Sequence, residues 1–99
     1  MFKVNSGRTT ECIHQALDID IKLLGKNHLN VAVIYSNLAM LYQVQGNSFK
    51  AAEFANQSLR IFVTIYGRYH PSLKALYHSL HILIPSLELY TQEFTYLKN

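Results

Sequence analysis

The stretch Val31-Ala32-Val33-Ile34-Tyr35-Ser36-Asn37-Leu38-Ala39-Met40-Leu41-Tyr42-Gln43-Val44-Gln45-Gly46-Asn47-Ser48 decides the fold of this chain. Val31, Ile34, Tyr35, Leu38, Leu41 and Tyr42 follow i, i+3, i+4, i+7 spacing, which puts them on one side of an α-helix. Gly46 can take the positive φ that ends a helix, and Asn47 or Ser48 can cap the next one. That next helix follows at once, with Ala51, Ala55, Ser58, Leu59, Phe62 and Ile65 at the same helical spacing. A helix, a tight break and a second helix make an antiparallel pair.

Outward from this pair the chain repeats itself. Slid by 42 places, residues 5–41 lie over 47–83 without an insertion. The pairs Asn5/Asn47, Ser6/Ser48, Glu11/Glu53, Gln15/Gln57, Leu17/Leu59 and Ile19/Ile61 are identical. So are Gly25/Gly67, His28/His70, Tyr35/Tyr77, Leu38/Leu80 and Leu41/Leu83. A second break, Gly67-Arg68-Tyr69-His70-Pro71, places a proline where the first turn of a helix accepts it. The spacing predicts helices over 7–24, 29–45, 48–66 and 71–84, a further one over 86–97, and no strand. The fold class is therefore all-α, with antiparallel helix pairs stacked as a short α-solenoid. Residues 1–84 comprise the second helix of one unit, one full unit and the first helix of the next. Residues 85–99 are expected to be a divergent C-terminal helix or the truncated end of an array. With little more than two units where about three are usual, marginal stability and self-association are expected.

The run Tyr35-x-x-Leu38-Ala39-x-x-Tyr42-x-x-x-Gly46, followed by Ala51 and Ser58, resembles the tetratricopeptide repeat. Ala16-Leu17-x-Ile19, Leu24-Gly25-x-x-His28 and Tyr66-Gly67-x-x-His70-Pro71 are similar to the kinesin light chain class of that family. The likeness covers roughly residues 5–84. Ala55 stands where the pattern prefers an aromatic, and Leu29 where His70 is followed by proline. After Leu83 the match fails, with Pro85 opposite Gln43 and Glu88 opposite Gly46.

The resemblance implies a non-enzymatic protein-binding solenoid with no catalytic residue and no cofactor. It also implies that the first helix of each unit lines a concave groove for a peptide or partner helix. Carried onto this chain, the groove positions are Val33, Ser36, Asn37, Met40 and Gln43, then Lys74, Ala75, His78, Ser79 and Ile82. Asn37 is the foremost of them, because one carboxamide offers both a donor and an acceptor to an extended peptide. The alternative readings are a structural piece of a longer solenoid with no ligand of its own, and a small basic helical module that binds nucleic acid.

Composition narrows the choice. Of 99 residues, 49% are hydrophobic and only 15% charged, which excludes a disordered tail. The net charge of +3 makes no dense basic stripe, so nucleic acid is not the expected partner. Between Glu53 and Glu88 there is no acid, while Arg60, Arg68, Lys74, His70, His78 and His81 all fall there. Such a surface favours acidic partners. Neighbouring repeats or a second copy are the other expected partners. Cys12 is alone, which rules out an internal disulfide, fits a reducing compartment and reads as a packed thiol. Residues 1–8 lack the apolar core of a signal peptide, and no run approaches the ~20 apolar residues of a membrane span. A soluble, cytoplasmic domain with no membrane partner is expected.

Other chemistry finds little footing. His78 and His81 share a helix face at i, i+3 but lack a third ligand with clear spacing. His28 and His70 recur just before a helix, which suits capping or loop packing. The four glycines punctuate helices and form no phosphate loop, and no nucleophile motif is present.

Overall fold

The computed structural model describes residues 6–90 and 92–97. Four α-helices run in chain order: α1 (Ser6–Leu24), α2 (Leu29–Val44), α3 (Ser48–Tyr66) and α4 (Pro71–Leu83). Each boundary falls within one residue of the expected one, and the described residues contain no strand.

Local chemistry explains those boundaries. The Nδ1 atoms of His28 and His70 accept the backbone N–H groups of Asn30 (3.0 Å) and Ser72 (3.1 Å). The repeated histidine is thus a repeated N-cap, in a role usually held by serine or aspartate. Asn47 caps α3 by accepting from the Lys50 N–H at 3.1 Å, and Pro71 occupies the first turn of α4. Gly67 ends α3 at φ 91°, ψ 154°, a region open essentially only to glycine.

α2 and α3 pack most closely. Ala32 and Ala39 on α2, with Ala51, Ala52 and Ala55 on α3, are completely buried and bring the two helices together. The buried Ser58 hydroxyl donates to the Ala32 carbonyl at 2.7 Å and meets the Ser36 hydroxyl at 2.7 Å. Beside this seam Phe54 stacks on Tyr35 and Tyr42, with ring centroids 5.8 and 5.4 Å away. α1 packs on α2, tied by His14 to the Tyr42 hydroxyl (3.1 Å) and by Gln45 donating to Thr10 (2.8 Å). α4 joins from the other side, burying Leu73, Tyr77 and Leu80. One core runs through all four helices, and each large aliphatic side chain in it contributes ~1.5–3 kcal/mol.

Two expectations need correction. The segment 86–97 is not an α-helix but two 3₁₀ segments, Pro85–Tyr90 and Gln92–Leu97, the second kinked at Phe94 (φ −110°, ψ 23°). Ile84, the residue before Pro85, is held out of the helical region (φ −128°, ψ 82°), and α4 stops there. Among the described residues beyond, Ile84 and Leu87, then Phe94 and Leu97, are buried. Pairs three apart share one face of a 3₁₀-helix, so this geometry buries them together. Cys12, expected to be packed, is exposed on α1. It lies on the side of α1 turned away from α2, and no described element covers that side.

Burial, and to a smaller degree the Asp18 carboxylate, raise the Tyr35 hydroxyl above the usual tyrosine range. The folded chain therefore holds that proton more tightly than the unfolded chain, whose tyrosines titrate near ~10. This stabilisation is present below about pH 10 and is lost as pH rises through the folded value. Tyr35→Phe is expected to leave urea stability at neutral pH within about 1 kcal/mol of the parent and to flatten its decline toward about pH 11. Equal declines in the two proteins would contradict the assignment.

An added methyl at Gly67 or Gly46 meets nothing within 4 Å, so the cost of substitution lies in the backbone alone. Gly67→Ala is expected to destabilise by ~1–3 kcal/mol. Gly46→Ala, at φ 84°, should cost nearer ~1 kcal/mol. Thermal unfolding of both variants checks the order.

Candidate functional site

α4 borders a cleft. His70 and Pro71 fix where the helix starts, and Leu73, Tyr77 and Leu80 pin one side of it to the core. Lys74, Ala75 and His78 are thereby left exposed along the adjoining side. The chain turns at Ile84 and comes back, so that Glu88 and Leu97 face the same side of α4. Between them opens a cleft of about 630 Å³, walled by Ala75, Tyr77 and Leu97 and rimmed by Lys74, His78 and His81. His81 Nε2 lies 3.0 Å from a Glu88 carboxylate oxygen, which ties the returning segment to α4. The Tyr77 and His81 rings stack 6.0 Å apart at 20°.

At the other end of the segment, the Arg68 guanidinium sits 4.5 Å above the Tyr96 ring, and Tyr69 packs 6.3 Å from the same ring. The loop before α4 and the second 3₁₀ segment therefore brace one another. A smaller cavity of about 290 Å³ lies between the end of α1 and α3, bordered by Lys26, Tyr35 and Arg60.

The expected groove residues divide into three groups. Lys74, Ala75 and His78 line the α4 cleft. Ser79 and Ile82 are exposed on α4 outside it. None of the α2 residues reaches the cleft. Val33 and Asn37 are exposed, Met40 is half-buried against the core, and Ser36 spends its hydroxyl on Ser58. Gln43 is half-buried, and its side-chain oxygen is enclosed without a hydrogen-bond partner.

Pro71, Tyr77, His81, Glu88 and Leu97 belong to the cleft but were not among the expected residues. The 42-residue shift holds the signal for one of them. Tyr77 corresponds to Tyr35, and its neighbours Lys74 and His78 correspond to Ala32 and Ser36, the side of α2 on which α3 sits. In the last unit two short 3₁₀ segments stand in for a full second helix and fill only part of that seat. The cleft is the part left open.

Among the described residues no helix is long and apolar enough to cross a membrane. No curated protein and no solved structure matches the chain. A family model described as tetratricopeptide repeat matches residues 9–62, from the first turns of α1 to most of α3. Repeats of this kind generally mediate protein–protein interactions. With more than half of its length matched and its helices paired as the family requires, the chain belongs to the tetratricopeptide repeat family.

Proposed function

We propose that this chain is a non-enzymatic protein-interaction module whose α4 cleft holds an acidic segment of a partner. The observation that carries the reading is the cleft itself: apolar walls from Ala75, Tyr77 and Leu97 under a rim of Lys74 and His78. Apolar walls supply most of the affinity, and rim charges select the partner and speed its approach. Among the described residues Glu88 is the one carboxylate at the cleft, and it is held by His81. Around the cleft, residues 54–87 include no acid. The kinesin light chain-like class is part of this proposal and rests on the 42-residue unit and the Tyr66-Gly67-x-x-His70-Pro71 loop. A cytoplasmic setting belongs to it as well, since the exposed thiol of Cys12 stays reduced there.

Selection from a displayed library of random peptides tests the reading. Enriched sequences are expected to carry Asp or Glu beside apolar residues, and their binding should weaken from about 50 to about 300 mM salt. Lys74→Glu is expected to lower their affinity about tenfold, while Asn37→Ala, on α2 and away from the cleft, changes it less than about twofold. Loss of binding in Asn37→Ala with Lys74→Glu silent would move the site to α2 and overturn the proposal.

A further inference from the structure

The 42-residue shift makes α1 the counterpart of α3, and α4 the counterpart of α2. α3 meets α2 through Phe54, stacked on Tyr35, and Ser58, bonded to Ser36 and Ala32. Ile61 is buried beside them and borders the same small cavity as Tyr35. On α1 this register reads Cys12, Ala16 and Ile19, with Leu23 one turn further. All four are exposed: Ile19 is 56% accessible and Leu23 76%, against 7% for Ile61. At the other end of the molecule, the residues that match the seat of α3 are those of the α4 cleft. A single chain thus presents an uncovered second helix at one end and a partly open seat for a second helix at the other. The α2–α3 interface shows how the two fit.

Charge and size agree with that fit. α1 carries Glu11, Asp18 and Asp20 against Arg8 and Lys22, a net charge of −1, whereas α4 carries Lys74, His78 and His81 and no acid. Where α3 presents Ser58 to Ala32 and Ser36, α1 presents the smaller Ala16 to the larger Lys74 and His78. An α4–α4 contact would instead set base against base.

We infer that α1 of one copy seats in the α4 cleft of the next, head to tail, in the register of α3 on α2. The inference rests on the reading of the α4 cleft as an interaction site and names its occupant as a second copy. The contact is heterologous, so it propagates into open chains rather than closing as a symmetric dimer.

Sedimentation velocity of the full chain at low salt tests it. The weight-average mass is expected to rise with concentration and not to level off at a dimer. Two variants each remove one end: Ile19→Glu with Leu23→Glu on α1, and Lys74→Glu with His78→Glu on α4. All four side chains are exposed, so circular dichroism should match the parent. Each variant alone is expected to associate at least about tenfold more weakly, and an equimolar mixture to form 1:1 complexes and nothing larger. A parent that is monomeric at every concentration, or a variant that still forms chains alone, overturns the inference. A mixture that gains no complex does the same. If the parent stays monomeric while displayed acidic peptides still bind the cleft in a Lys74-dependent way, only the second-copy inference falls. If those peptides fail too, the interaction site falls with it.

Discussion

The close approach of α2 to α3 is the constraint on which the rest of the molecule depends. Helices lie ~8–10 Å apart according to the side chains between them, and small residues select the near end of that range. Ala32, Ala39, Ala51, Ala55 and Ser58 supply that contact here. Ser58 makes it specific, because a buried hydroxyl without a partner costs ~1–3 kcal/mol, and the Ala32 carbonyl with Ser36 satisfies it only in one register. Once the register is set, Phe54 falls between Tyr35 and Tyr42, where His14 of α1 also meets it edge-on at 5.7 Å. The far side of α3 is then turned toward α4 and the returning segment.

Much of this was legible in the sequence because it is encoded locally. Helical spacing, Gly46-Asn47, Gly67 and the paired histidines each act within a turn of their own position, so four helices and their caps could be placed before any packing was known. The small residue at Ala55 was visible as a departure from the family pattern. Its use became clear only with Phe54 beside it carrying the aromatic contact. What escaped was whatever depends on a neighbour. Cys12 has the helical phase of a packed residue, yet phase says nothing of whether another helix lies against it. Beyond Leu83 the repeat no longer supplies a template, and the burial of Ile84, Leu87, Phe94 and Leu97 at threefold spacing decides the geometry instead.

The candidate site shows the same division. Lys74, Ala75 and His78 were named through the family resemblance, which implies a groove along the first helix of each unit. Their companions Glu88 and Leu97 come from the segment that departs from the repeat, so only the path of the chain brings them together with α4. Of the α2 positions expected to line the groove, Ser36 is bonded to Ser58 of α3, while Val33 and Asn37 are exposed on α2 and lie outside the α4 cleft.

The link between α2 and α3 is only Gln45-Gly46-Asn47. Closing so short a loop costs little chain entropy, and the contacts it brings together are near in sequence, which is the condition for fast folding. α1 leaves the ribosome before α2, yet α2 is its main partner. The returning segment likewise needs α3 and α4 in place before Ile84 and Leu87 have anything to pack on. The α2–α3 pair is thus the part of the chain whose contacts are most local, and both flanking segments depend on it for something to pack on.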